Sequence, residues 1–307
     1  MMNRTILTLS ALMAMLGSVA VAQIEITRTE RLDLGSGQQW DHPQFSPDGR
    51  TIYYTTAAYD GIWSYSIENG QIRQITADPK SGYGFSVSPN GDQIAYRRST
   101  MDSQTRRRSQ ELVVTDLRTG QSITVASGPS LPLPSFGAES LIYSDGSTTQ
   151  GLSKQNVPGT TLLGIESTKI AISRNGNKEL LDPFGDGRYI WPSLSPGGSS
   201  IVAYEMGRGT IVMTVDGEIT ARLGKKNAPV WTRDGKYIIY MEDRDDGHRI
   251  LSSDLFCVSP DGSTTTQLTR TDDVTELFPA CSPTEDKIVT SSLEGSIYVL
   301  SYREVTP

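Results

Sequence analysis

A tight turn of the Ser-Pro-Asp-Gly type recurs along the chain and constrains the fold more than any other feature. Five copies precede a β-branched and aromatic run: FSPDGRTIYYT (45–55), VSPNGDQIAYR (87–97), LSPGGSSIVAY (194–204), WTRDGKYIIYM (231–241) and CSPTEDKIVTS (281–291). A degenerate sixth copy, FGAESLIYS (136–144), has lost the proline and the glycine from their positions in the turn. Six copies over residues 23–307 give about 47 residues each, the spacing of a four-stranded propeller blade.

Each copy predicts the same order of strands. Proline fixes one backbone angle of the turn, glycine accepts the positive φ that follows, and the apolar run forms the next strand. Two further strands follow, for example GIWSYSI (61–67) and QIRQIT (71–76), and KIAISRNGNKELL (169–181) supplies strands three and four of the third blade. A proline precedes the turn in five copies, at Pro43, Pro134, Pro192, Pro229 and Pro279, and Phe85 takes its place in the second.

The two ends of the chain complete one another. The last copy stops after its third strand, and EITRTERLDL (25–34) has the character of a fourth strand. We therefore predict an all-β protein, a six-bladed β-propeller of four-stranded antiparallel blades. Its N-terminal strand pairs with the last blade and closes the ring, which protects strand edges that an open array exposes.

The first 22 residues have the pattern of a secretory signal peptide. Arg4 gives a positive start, residues 6–21 are apolar, and Ala20 and Ala22 form the cleavage site. We expect cleavage between Ala22 and Gln23, a propeller domain over 23–307, and a periplasmic or secreted protein. The apolar run is short for a bilayer span, so no membrane span is predicted. The net charge of −7 argues against nucleic acid as the partner.

The inventory of reactive side chains is small. Cys257 and Cys281 are the only cysteines, and we expect buried thiols rather than a bridge. His42 and His248 fall in different blades, no G-x-S-x-G motif occurs, and nothing selects a pair of catalytic carboxylates. The sequence therefore predicts no catalytic residue, no metal and no cofactor, and a protein that is not an enzyme.

The repeat resembles the TolB-like group of WD-type propellers. The pattern Pro-x-apolar-Ser-Pro-Asp-Gly-x-x-Ile-Ala-Tyr carries this resemblance, and the fifth blade, residues 231–269, matches it best. The resemblance implies the propeller fold, an exported setting and a protein-binding platform. We expect no counterpart of TolB's N-terminal α/β domain, because the first repeat begins soon after the signal peptide.

Long connections between strands two and three predict a functional face. They span 97–110, about 145–168 and 242–253, and the connections from strand four to the next strand one lie on the same face. The candidate binding residues there are Trp40, Asp41, His42, Tyr83, Arg106, Arg107, Arg188, Tyr189, Trp191, Glu276 and Phe278. Aromatic and arginine side chains dominate protein interfaces. The competing interpretations are that the aromatics cap the blade cores and that the arginines are simply solvated.

Two functions fit this face. The first is a non-catalytic platform for a protein partner in the cell envelope, with the chain itself a monomer. The alternative is a carbohydrate-binding or carbohydrate-active propeller, a lyase or hydrolase, that uses Trp40, Tyr83, Tyr189 and Trp191 at the mouth of the channel.

Overall fold

The computed structural model describes residues 23–101, 104–137, 141–144, 149–151 and 159–305, which form strands and turns. The predicted signal peptide, residues 1–22, lies outside the described residues. Within the described ranges, no helix has the length and apolar character needed to cross a membrane.

Four of the six blades are single sheets of four antiparallel strands in chain order. Blade one holds β2 (Trp40–Phe45), β3 (Thr51–Thr56), β4 (Ile62–Ser66) and β5 (Ile72–Thr76). Blade two holds β6 (Ser86–Val87), β7 (Gln93–Met101), β8 (Arg108–Asp116) and β9 (Ser122–Gly128). Blade four holds β16 (Tyr189–Leu194), β17 (Ser200–Glu205), β18 (Gly209–Thr214) and β19 (Ile219–Gly224). Blade five holds β20 (Asn227–Trp231), β21 (Ile238–Asp245), β22 (Ile250–Val258) and β23 (Thr265–Gln267).

Blade six joins the two ends of the chain, as predicted. It contains β24 (Glu276–Cys281), β25 (Lys287–Ser292), β26 (Ile297–Val305) and β1 (Gln23–Arg31), in the order β1-β26-β25-β24. The pairing of β1 runs from Gln23 opposite Val305 to Arg31 opposite Tyr298. The all-β six-bladed propeller and its closure by the N-terminal strand are thus confirmed.

Blade three is divided into two sheets. One contains β10 (Ser135–Phe136), β11 (Leu141–Ser144) and β12 (Thr149–Gly151), and the other contains β13 (Thr160–Glu166), β14 (Lys169–Arg174) and β15 (Asn177–Leu181). The sheets meet where the Ser135 hydroxyl donates to the Leu162 carbonyl, 2.8 Å away. β14 and β15 are the predicted strands three and four. β13 corrects the prediction that residues 145–168 form one connection, because it precedes β14 as a second strand would.

The other two long connections are also corrected. β7 and β8 pair from Gln93 opposite Asp116 out to Met101 opposite Arg108, and β21 and β22 pair out to Asp245 opposite Ile250. Most of the additional residues therefore lengthen two hairpins instead of forming open loops.

The repeated turns hold their shape through one hydrogen-bond pattern. In blade one the Ser46 hydroxyl donates to Asp48 (2.6 Å) and accepts from the Thr51 amide (2.9 Å), while Gly49 takes a φ of 72°. This local pattern explains why the turns are visible in the sequence.

The blades pack face to face through buried aliphatic and aromatic side chains around a central channel. The strands that line the channel are the first of each blade, namely β2, β6, β10, β16, β20 and β24. Each two–three turn lies beside the start of the next blade's first strand. The amide of Trp40 donates to Gly295 (3.0 Å), and the amide of Tyr189 donates to Thr168 (2.9 Å). We call the face that carries these turns the mouth face.

Candidate functional site

A bulge near the start of the innermost strands positions the candidate site. In blades one, four, five and six the strand pairing skips two residues, the second of which is proline. Proline has no N–H to give to the ladder, and a bulge turns the adjacent side chain in a new direction. The residue before each proline takes a positive φ, at His42 (49°), Trp191 (52°), Ala228 (46°) and Phe278 (49°). Such a φ is rare outside glycine and clusters at functional sites.

The bulged side chains meet across the channel. The rings of His42 and Phe278, from blades one and six, stack with centroids 4.1 Å apart. Trp191 of blade four lies 6.5 Å from Phe278, although blade five stands between them. The small Ala228 occupies the equivalent position of blade five and leaves room for this contact. Blades one, four and six therefore contribute side chains to one aromatic group, in which Trp191 and Phe278 also pack against the buried cluster of blades five and six.

Two tyrosines extend the group outward along the mouth face. Tyr59, in the two–three turn of blade one, lies 4.9 Å from His42, and Tyr83 packs edge-on against Tyr59 at 5.2 Å. The guanidinium of Arg97 lies 5.8 Å from the centroid of the Tyr83 ring. We define the aromatic arc as Trp191, Phe278, His42, Tyr59 and Tyr83. Tyr83 is exposed, and the other four are half-buried.

A short series of polar contacts runs behind the arc. The Ser291 hydroxyl donates to Asp41 Oδ1 (2.6 Å), and Asp41 Oδ2 lies 3.2 Å from His42 Nδ1. On the other side of the ring, His42 Nε2 lies 3.2 Å from the Tyr59 hydroxyl. Burial acts to raise the pKa of Asp41, but the His42 contacts and the Ser291 hydrogen bond outweigh it and hold the pKa below its usual value. Asp41 is thus ionised and poised beside the imidazole.

Five of the predicted site residues thus come together. Trp191, Phe278 and His42 form the centre of the arc, Tyr83 joins it through Tyr59, and Asp41 contacts His42. Their assembly follows from the bulges, which bring distant parts of the sequence to one rim.

Two predicted site residues belong to the core instead. Trp40 is buried against Tyr54 and Trp63, with centroids 5.1 and 4.9 Å away. Tyr189 is 1% exposed, and its hydroxyl donates to Asp182 (3.1 Å). Both precede the bulge, where the side chain faces the neighbouring blade. For these two residues, the interpretation that the aromatic side chains cap the blade cores is the correct one.

The three predicted arginines are exposed and lie outside the arc. The backbone amide of Arg188 donates to Glu205 (3.1 Å) at the rim of blade four. Arg106 and Arg107 lie in the turn that joins β7 to β8, where Arg106 has a φ of 54°.

Glu276 is a buried carboxyl at the start of β24. One oxygen accepts from the Thr271 hydroxyl (2.8 Å), and the other has no hydrogen-bond partner. Burial, with a smaller contribution from the charge of Asp254, raises its pKa to about 7. Its position within the wall separates it from the arc.

Tyr59 and Ser291 were not predicted from the sequence. Tyr59 lies in a short turn, where its φ of 61° is seen only in the structure, and Ser291 is one of several serines at the end of a strand. Neither position carries a local signal, because each role depends on contact with another strand or blade.

Within the described residues, no group of three or more His, Cys, Asp or Glu side chains is arranged to hold a metal ion. Cys257 and Cys281 are unpaired, and burial raises the pKa of both thiols.

Several solved structures share this fold. The Swd1 propeller domain of Myceliophteria thermophila has a TM-score of 0.61 and 12% identity, over 90% of this chain and 99% of that chain. TolB from Acinetobacter baumannii has a TM-score of 0.54 and 18% identity, over 80% of this chain and 58% of TolB. An oligogalacturonate lyase from Vibrio parahaemolyticus has a TM-score of 0.51 and 14% identity, over 87% of this chain and 79% of the lyase.

These likenesses establish the fold alone. The chain spans little more than half of TolB, and the resemblance to TolB-like repeats is supported at the level of the propeller. No protein-family model matches the chain. No curated protein matches its sequence.

The prediction that the chain is not an enzyme is corrected by the lyase structures. They include the Vibrio enzyme and an oligogalacturonate lyase in complex with manganese, which has 12% identity and a TM-score of 0.51. The prediction rested on scarce histidines and on absent hydrolase motifs. Since enzymes occur among the proteins of this fold, those absences do not exclude catalysis.

Proposed function

We propose that the aromatic arc binds a saccharide and that the protein does so after export. The contact of Trp191 with Phe278 across the channel supports this most directly, because it joins aromatic rings of different blades into one continuous group. Ligand sites are typically lined by aromatic side chains and equipped with a few polar groups. Asp41, His42 and the Tyr59 hydroxyl supply those groups beside the rings.

The lyase neighbours favour a saccharide over a protein segment. Their name states that they act on oligogalacturonate, and their propellers cover most of this chain. A saccharide packs the C–H bonds of one side of its ring on a single aromatic side chain, and Tyr83 of the arc is exposed for such a contact. A stable protein interface buries about 800 Å² on each partner and would extend well beyond it.

The test is binding of a panel of oligosaccharides, including oligogalacturonates, to the chain from residue 23 onward. We expect one class to bind, and Trp191→Ala to weaken it by at least about tenfold, equivalent to 1.4 kcal/mol. Met206→Ala is the control, because this exposed side chain belongs to the same blade but not to the arc. Equal loss in both variants, or no binding across the panel, would contradict the proposal.

A further inference from the structure

The polar contacts behind the arc have the geometry of a nucleophile, a base and an orienting acid. Tyr59 Oη lies 3.2 Å from His42 Nε2, and His42 Nδ1 lies 3.2 Å from Asp41 Oδ2. Activated nucleophiles have this signature: a base within hydrogen-bond reach and a third group that orients the base. At this distance His42 Nδ1 makes no hydrogen bond to Asp41 in the structure, and hydrogen bonds between catalytic groups are often long or poorly aligned before substrate binds.

The surroundings hold the three groups in place. Phe278 stacks on the imidazole at 4.1 Å, and Ser291, which is fully buried in blade six, donates to Asp41. The hydrogen bond from Ser291 and the stacking of Phe278 both cross from the last blade to the first. The triad itself lies within blade one, and these two supporting contacts form only when the ring is closed.

Tyr59 needs a base to act as a nucleophile. Burial, together with the negative charge of Asp41, raises its pKa, so the phenol keeps its proton near neutral pH. Asp41 favours the imidazole tautomer with the proton on Nδ1, which leaves the Nε2 lone pair free to accept the phenolic proton. Serine triads divide the same roles among their three members.

We propose that Tyr59, His42 and Asp41 form a catalytic triad that hydrolyses carboxylic esters at the channel mouth. Tyr59 Oη attacks the ester carbonyl carbon while its proton passes to His42 Nε2. The bond from the acyl carbon to the alkoxy oxygen then breaks, and the departing alcohol takes that proton. Water next attacks the acyl-tyrosine and gives a proton to His42, which returns it to Tyr59 as the acid leaves. The inference goes beyond saccharide binding and does not depend on it.

The test uses p-nitrophenyl acetate, whose leaving group is coloured and whose acyl group is small. We expect a burst of p-nitrophenol equal to the protein concentration, and an acetyl group on Tyr59 in peptides from acid-quenched samples. Tyr59→Phe keeps the ring and removes the nucleophile, so the burst and the acetyl group should disappear. Tyr65→Phe, a half-buried tyrosine of the same blade outside the arc, is the matched control.

Two further variants test the base and the orienting acid. His42→Asn retains a residue that tolerates positive φ and should lower the acylation rate by at least about 100-fold. Asp41→Asn should lower it by about 100-fold or more and change the pH profile, because the imidazole tautomer is no longer fixed. A burst that survives Tyr59→Phe, or acetylation spread over several tyrosines, would overturn the proposal. Because saccharide binding is measured separately, either proposal can fail alone.

Discussion

At the scale of single residues, the buried Glu276 makes stability depend on pH. Its pKa is raised from the usual 4.5 to about 7. Between these values the folded chain binds more protons at this site than the unfolded chain does. The contribution to stability is therefore complete below about pH 4.5 and is lost as the pH rises through 7.

We predict that Glu276→Gln removes this dependence. Glutamine keeps an acceptor for the Thr271 hydroxyl and carries no charge at any pH. Above pH 7 the variant should be more stable than the parent by about 1 to 3 kcal/mol, and near pH 4.5 the difference should vanish.

Urea unfolding at several pH values measures this effect. Glu294→Gln, at an exposed carboxyl, is the control and should leave the profile unchanged. A parent whose stability does not fall between pH 5 and 7.5 would show that the carboxyl is not held in its neutral form.

At the scale of elements, the turns bring blades into close contact. A Cβ on Gly295, between β25 and β26, would lie 2.5 Å from Gln39 Cα, and the φ of Gly295 is +83°. Gly217, between β18 and β19, has a φ of +88° and no neighbour within 4 Å of a Cβ. The two glycines have similar φ values but different surroundings, so comparing them distinguishes backbone strain from the effect of contact between blades.

We predict that Gly217→Ala destabilises the protein by about 1 kcal/mol, the strain of a positive φ. Gly295→Ala should cost at least about 2 kcal/mol more, because the backbone of blade one must move away. Urea unfolding of both variants gives the comparison. If both variants lost the same unfolding free energy, the contact between Gly295 and blade one would not restrict the side chain at that position.

The strands and turns also differ in how well the sequence predicted them. The turns at Ser46 and its equivalents depend on local hydrogen bonds, so the blade count and the closing strand were predictable. Blade three was not predictable, because FGAESLIYS has lost the proline and glycine from their positions in the turn, and with them the local signal. The long connections 97–110 and 242–253 are polar, and the extension of a hairpin beyond the core carries no apolar pattern.

The candidate site was predictable only in part. The connections from strand four to the next strand one identified His42, Trp191 and Phe278, whereas the bulges that orient these residues were not predicted. Trp40 and Tyr189 are aromatic residues on the same strands, and only the direction given by the bulge separates core from channel. Tyr59 became visible once the ring had brought its turn beside His42.

At the scale of the whole molecule, stability depends on the strand that closes the ring. Ile24 of β1 is 2% exposed and belongs to the core cluster that includes Leu300 and Tyr302. A single strand therefore supplies both the outer edge of blade six and part of its core.

We predict that Ile24→Ala costs about 2 to 4 kcal/mol through the cavity it leaves. Ile72→Ala, at a 41% exposed position of β5, should change stability by less than about 0.5 kcal/mol. A chain that lacks residues 23–31 should melt at a lower temperature than either variant. Calorimetry measures the melting temperatures of the three proteins. If the truncated chain melted at the same temperature as the parent, the stability of the ring would not depend on its closure by β1.

The bulges also allow the side chains at the channel mouth to change without a change in the blades. The backbone of each blade fixes the conformation of the residue before the proline whatever its identity: His42, Trp191, Ala228 and Phe278 differ in size and polarity yet share a positive φ. These four positions therefore accept different side chains around one opening. A few substitutions at these positions would let the same propeller bind a different ligand, so propellers of this kind can diverge in function while their blades stay the same.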